Sequence, residues 1–281
     1  MIIQDHGAQS AVIRQTDHAR LAGFFARQWG SSLFSKPEPF ESFCLAAEAH
    51  DNGWLEWEMF PAVDSATFSP YSFMSIPTEE HIALYQRGLA RLIQADPYAG
   101  LLACMHCEQL YDHTRATMPG YSSKYVKSAD KKPVEAFIES LRLQKLRLKV
   151  DLRAQQDLKP FMDDKLLAAN AARLEAVDRL SLYFCMGARD AAIIDGVPVD
   201  AGDTHADLIV TPEGPDNAFT LAPYPFRRDA LEFGVLARYI PKRRYTEDAE
   251  LQRVLTAAPY SMINFTLRSA DTHAGAFSAF A

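Results

Sequence analysis

The chain has 281 residues, 29 Lys plus Arg against 36 Asp plus Glu for a net charge of −7, and 48% apolar residues. That balance fits one large cored domain, or one domain with an appendage, and excludes a largely disordered chain. The acidic charge argues against a dedicated nucleic-acid binder, because phosphate contacts need clustered Lys and Arg. No apolar run approaches the ~20 residues that span a bilayer. Residues 1–23 lack the basic-then-apolar layout of a secretory signal. The expectation is a soluble, cytoplasmic protein with neither a nucleic-acid nor a membrane partner; a homodimer stays open.

Taken in chain order, residues 1–14 alternate apolar and polar side chains around His6-Gly7 and predict a hairpin or extended arm. From Asp17 the period changes. His18, Leu21, Ala22 and Phe25 recur at helical spacing, with Thr16 or Asp17 as N-cap and Gly30 as stop. Phe43, Ala46, Ala47 and His50 mark a second helix over 40–50, broken by Asn52-Gly53. Residues 53–77 form a long connection rich in aromatics, Pro and Ser. Helical periodicity returns over 78–95 and, after Pro97, over 98–112. A polar stretch at 117–132 carries Lys124, Lys127, Lys131 and Lys132 and reads as a solvated loop. Pro133 then opens a long helix whose Leu residues alternate with Lys and Arg over 141–149, read as a helix with a basic outer face. A last helix covers 163–186.

Beyond Gly187 short strands are expected at 193–199, 206–210, 218–221 and 261–267, between Gly and Pro turns. The tail from 269 to 281 is rich in small residues and is expected to be partly disordered. The fold expectation is therefore mainly α: a multi-helix bundle over 1–187 and a smaller β-rich part over 188–281, α+β overall. Cys44, Cys104, Cys107 and Cys185 all fall in apolar, helix-like runs. The CxxC pair at 104 and 107 has no second pair to complete a zinc knuckle, so all four read as buried thiols.

The informative feature is where polar residues interrupt apolar helix faces. His18 sits on the inner face of the first helix, His50-Asp51 ends the second, His81 begins the third and His106 lies midway along the fourth. Asp178 falls between Leu174 and Leu182 on the stripe of the last. A carboxylate in a Leu stripe is costly unless paired or coordinated, so convergence on a metal site is the economical reading. His18, His50, Asp51 and Asp178 would hold a first ion, with His81 and His106 around a second. Imidazole and carboxylate ligands alone do not distinguish Fe, Mn, Zn or Mg, nor one ion from two. Trp54 and Trp57 flank the site as pocket wall or core. Arg115 and Lys124, after the His106 helix, are the candidates for contacts to an anionic substrate.

The segments Asp17-His18-Ala19, His50-Asp51-Asn52-Gly53-Trp54 and Ala176-Val177-Asp178-Arg179-Leu180-Ser181 resemble the HD-domain superfamily of metal-dependent phosphohydrolases. That family is all-helical and defined by His, His-Asp and Asp in this order. His81 and His106 correspond in order to the extra histidines of its binuclear branches, which include cyclic-nucleotide phosphodiesterases and di-iron oxygenases of the inositol oxygenase type. The long interval between His106 and Asp178, and the absence of a Gly-Tyr-Pro element, depart from the cyclic-dinucleotide branch. Gln15-Thr16-Asp17-His18-Ala19, Gly23 and Trp29-Gly30, together with the His50–Trp54 motif, are also similar to the uncharacterised bacterial family DUF3891 over the whole chain.

The expected function is a metal-dependent phosphomonoesterase or phosphodiesterase acting on a small anionic metabolite through metal-activated water. Asp51, His81 and His106 are the expected catalytic residues. Two alternatives use the same residues: a di-iron oxygenase, and a non-catalytic metabolite-binding protein.

Overall fold

The computed structural model describes residues 1–111 and 131–270. Arg115, Lys124 and almost all of the polar stretch and C-terminal tail named above lie outside the described residues. The N-terminal alternation forms the hairpin β1 (Ile2–His6) and β2 (Gln9–Ile13). Helices α1 (Gln15–Gln28) and α2 (Phe40–Ala49) follow. No side chain of the expected cap residues closes α1. Instead Glu58 accepts from the backbone N–H groups of Gln15 and Thr16 and from the Thr16 hydroxyl. A long-range carboxylate thus satisfies the orphan donors of the first turn.

The long aromatic connection is not structureless. It holds a 3-10 turn at Asn52–Trp54, the short helix α3 (Leu55–Met59) and a small hairpin, β3 (Val63–Asp64) with β4 (Ser69–Pro70). Helix α4 (Thr78–Ala95) precedes α5 (Pro97–Tyr111), whose first turn is capped by Asp96 Oδ1 accepting from Tyr98 and Ala99 N–H at 2.9 Å. Helix α6 (Lys131–Arg153) buries Leu141 and Leu148 and exposes Leu143 and Leu146. An alternating Leu pattern on a 3.6-residue period must point both ways. Helix α7 (Asp164–Cys185) starts at Asp163, whose carboxylate accepts from Lys165 and Leu166 N–H.

The C-terminal strands β5 (Ala192–Pro198), β6 (His205–Pro212), β7 (Ala218–Ala222), β8 (Ala230–Pro241) and β9 (Tyr260–Ser269) are joined by a last helix, α8 (Asp248–Ala257). They do not stand alone. The sheet has seven strands in the order β1-β2-β8-β9-β7-β6-β5, antiparallel except for β7 with β9, and curls into a half-barrel. About half of the described residues are helical. The expectation of a mainly α, HD-like bundle is therefore corrected. The N-terminal hairpin enters the sheet through β2 pairing with β8, Val12 opposite Arg238, so both ends of the chain build one sheet beside the helices.

The helices dock on that sheet through an aromatic seam. Phe184 of α7 meets Phe219, Phe233 and Phe265 of β7, β8 and β9 at 5.1, 4.9 and 5.2 Å between ring centroids. Phe25 of α1 meets Phe233 at 5.0 Å and Phe184 at 5.9 Å. Such offset and edge contacts fix helix rotation more sharply than aliphatic packing does. Strand β8 escaped periodicity because Gly234 interrupts it. A Cβ there would lie 2.6 Å from Sδ of the exposed Met262 side chain of β9.

On the other side of the bundle, α4 approaches the turn after His50-Asp51 backbone to backbone. A Cβ on Gly53 would lie 2.0 Å from the Leu84 carbonyl oxygen, and one on Gly88 2.8 Å from Gly53 N. Asn52 Nδ2 donates to the carbonyls of Ala49 (2.7 Å) and Gly88 (3.1 Å), locking the same junction. Among the described residues no helix is long and apolar enough to cross a membrane. Gly53→Ala is expected to cost stability at the upper end of the ~1–3 kcal/mol typical of overpacking, read as a lowered urea midpoint at unchanged slope.

Candidate metal centre

Four helices bring five polar side chains to one point in the core. His18 comes from α1, His50 and Asp51 from the end of α2, His106 from α5 and Asp178 from α7, each at most 5% exposed. His18 Nε2 lies 3.3 Å from Asp51 Oδ2, 3.3 Å from Asp178 Oδ1 and 3.3 Å from His50 Nε2. His50 Nε2 is also 3.3 Å from Asp178 Oδ1 and 3.8 Å from Asp51 Oδ2. His106 stands at the edge, its Nε2 3.8 Å from Asp178 Oδ2 and its ring 5.1 Å from that of His50.

The outer atoms of these rings are fixed by the backbone. The Ser181 hydroxyl donates its one proton to the Asp178 carbonyl (2.8 Å), so it accepts from His18 Nδ1–H at 2.7 Å. His50 Nδ1–H donates to the Ala47 carbonyl at 2.8 Å. Both imidazoles therefore carry the outer proton and aim Nε2 inward, the arrangement that metal-ligating histidines use. Asp51 is held likewise: Tyr85 donates its hydroxyl to Oδ1 at 3.0 Å, and Gln15 Nε2–H donates to Oδ2 at 3.2 Å.

Electrostatics couple the ionisable groups of the cluster to one another. Burial opposes ionisation of Asp51, yet His50 and His18 beside it hold its carboxyl well below the usual range. Asp178 is lowered in the same way against its burial, chiefly by His50. Burial would neutralise His50, but the Asp51 and Asp178 carboxylates overcome it and raise its pKa to about 9. His106 is pushed down to about 4 by burial and is neutral.

Bonds of about 2.1 Å to one ion put neighbouring ligand atoms roughly 3.0–3.4 Å apart in octahedral or tetrahedral geometry. The four 3.3 Å separations match that edge length. The candidate groups are His18, His50 and Asp51, and His50, His106 and Asp178. His50 belongs to both groups and has one inward nitrogen, so the donors fit one divalent ion with His106 beside it. His106 turns Nε2 towards the cluster, and its Nδ1 is buried with no hydrogen-bond partner among the described residues.

The other expected site residues stand apart from this point. His81, in the first turn of α4, shares a 2.6 Å hydrogen bond with the Tyr111 hydroxyl through Nδ1 and meets the Tyr85 ring edge-on at 4.8 Å. Burial lowers its pKa to about 4. It joins neither candidate ligand group. Trp54 is fully buried, packed on Trp57 and on His81 at 5.6 Å each. The sequence reading missed Gln15 and Tyr85. Their signals were present: Gln15 precedes His18 by three residues and Tyr85 follows His81 by four, so each shares a helix face with a flagged histidine.

Metal uptake must displace the proton that His50 holds up to about pH 9. The carboxylates are already ionised and His106 already neutral, so one proton is expected to leave per ion. Affinity for Mn²⁺ or Zn²⁺ is expected to tighten about tenfold per pH unit between roughly pH 6.5 and 8.5, and to level off above 9. Calorimetry in buffers of different ionisation enthalpy counts that proton; a flat profile contradicts the assigned charge state.

No curated protein and no solved structure matches this chain. A family model does match, described as a protein of unknown function, DUF3891, over residues 1–242. That span runs from β1 to just past β8 and includes all the residues converging on the centre. The chain belongs to the DUF3891 family.

Proposed function

We propose that this protein is a metal-dependent hydrolase of small anionic substrates, most simply phosphate mono- or diesters, with one ion held by His18, His50, Asp51 and Asp178. The observation that carries the reading is the convergence of these four side chains at 3.3–3.8 Å, with both imidazoles pinned by their outer nitrogens. The order of the four is that of HD-type phosphohydrolases, here on a different architecture. Fold analogy therefore adds nothing, and the argument rests on the site.

A divalent ion there supplies Lewis acidity, lowering the pKa of bound water and neutralising charge on a phosphoryl group. The residues supply the rest. Two ionised carboxylates balance a divalent charge, so an anion meets a neutral centre rather than a doubly negative one. His106, neutral and with Nε2 facing the cluster 3.8 Å from Asp178 Oδ2, offers an N–H to an anionic oxygen beside the ion. Tyr85 and Gln15 hold Asp51 in its orientation and so limit rearrangement as charge develops.

The test is elemental mass spectrometry on protein purified without chelators, paired with hydrolysis of p-nitrophenyl and bis-p-nitrophenyl phosphate. About one equivalent of Mn, Zn or Co is expected, with metal affinity falling at least ~100-fold in His50→Ala and Asp178→Ala and turnover lost alongside. Metal content below ~0.2 equivalents that added metal does not restore would overturn the reading. Two equivalents of iron with oxygen uptake would replace it with the oxygenase.

A further inference from the structure

Gln15 is the first residue of α1 and is 3% exposed. Its backbone N–H is tied to Glu58 and its side-chain Nε2 to Asp51 Oδ2, so both ends of the residue are held. Its Oε1 is buried and has no hydrogen-bond partner among the described residues. Rotating the amide would not relieve this, because it would set Oε1 against the Asp51 carboxylate, acceptor to acceptor. A buried amide oxygen left without a donor forfeits the hydrogen bonds it made to water, so its place beside the ligand cluster needs a reason.

We propose that Gln15 is the positioning residue for the water at the ion, with Oε1 accepting one of that water's protons. The inference rests on the metal-hydrolase reading above and adds a directional rule to it. Oε1 accepts and does not donate, so it favours a ligand that carries a proton, namely water or a hydroxyl group. It disfavours an acceptor-only anion at the same coordination position. The anionic oxygen of a substrate is thereby directed to the side of His106, and water keeps the side of Gln15. One bond of Gln15 (to Asp51) sets where the amide sits, and the other sets which species occupies the adjacent position.

The experiment loads wild type, Gln15→Met and Gln15→Glu with Co²⁺ alone and titrates azide into each, following the visible cobalt bands. Azide replaces the water and offers no proton to Oε1. In wild type it must break that hydrogen bond; in Gln15→Met there is none to break. Azide is expected to bind Gln15→Met about three- to tenfold more tightly than wild type, the equivalent of one hydrogen bond. Gln15→Glu keeps an acceptor and adds negative charge, so azide is expected to bind it more weakly than wild type. Equal azide affinity in all three proteins overturns the proposal, because Gln15 then faces no exchangeable water. Loss of cobalt from both variants, with wild type still loaded, makes Gln15 a support for Asp51 alone and also overturns it. Wild type that never binds cobalt removes the metal reading itself, a result distinguishable from the other two.

Discussion

The structure turns on a cluster of charged and polar side chains buried in the core. Two carboxylates and three imidazoles meet in the core, each at most 5% exposed. A buried charge is tolerated only when paired and hydrogen-bonded, and a buried cluster is tolerated only when its net charge is small. Here a proton on His50 partly offsets Asp51 and Asp178. A divalent cation in place of that proton would offset them fully. The surrounding hydrogen bonds, Ser181 and Ala47 on the imidazoles and Tyr85 and Gln15 on Asp51, leave the inward atoms available.

Holding four helix-borne groups to such distances demands that the helices cannot rotate. On α1, His18 and Phe25 are two turns apart on one face; on α7, Phe184 follows Asp178 by six residues, about 120° round the helix. The seam of Phe25, Phe184, Phe233 and Phe265 therefore fixes the two helices that carry His18 and Asp178 against one sheet. The His50-Asp51 end is fixed independently, by the Gly53–Gly88 contact and the two Asn52 bonds. The Asn-Gly pair after His-Asp, which reads as a simple helix stop, is the joint that sets Tyr85 against Asp51. The sheet takes no direct part in the cluster. It is the plate against which two of the four contributing helices are registered.

This division explains what was legible in the sequence. Helices with clear caps and stripes, such as α4, α5 and α7, follow from local periodicity, and His18, His50, Asp51, His106 and Asp178 stand out as polar interruptions of apolar faces. The pairing of β2 with β8 has no local signature, since it joins the two ends of the chain; reading each end separately produced the bundle-plus-appendage expectation that the seven-stranded sheet corrects. Strand β8 was hidden by Gly234, which interrupts its run of strand-forming residues. Side-chain partners were the least legible. Nothing in the spacing of His81 tells that its Nδ1 meets Tyr111, and Glu58 as the cap of α1 is visible only in three dimensions.

The cysteines sharpen the chemistry of the centre. Cys107 follows His106 directly, but adjacent residues on a helix point about 100° apart, so a ring aimed at the cluster sends its neighbour's sulfur elsewhere. The buried thiols resist ionisation: burial raises Cys104 to about 12 and Cys107 well above the ordinary thiol range. Thiolates are the donors that select soft ions, and neither candidate group contains one. A centre of imidazole nitrogens and carboxylate oxygens favours borderline or hard divalent ions that exchange water readily. For such an ion, the groups that hold and orient water matter as much as the ligands, which is why an amide oxygen beside Asp51 with no donor among the described residues carries more information than a fifth ligand would.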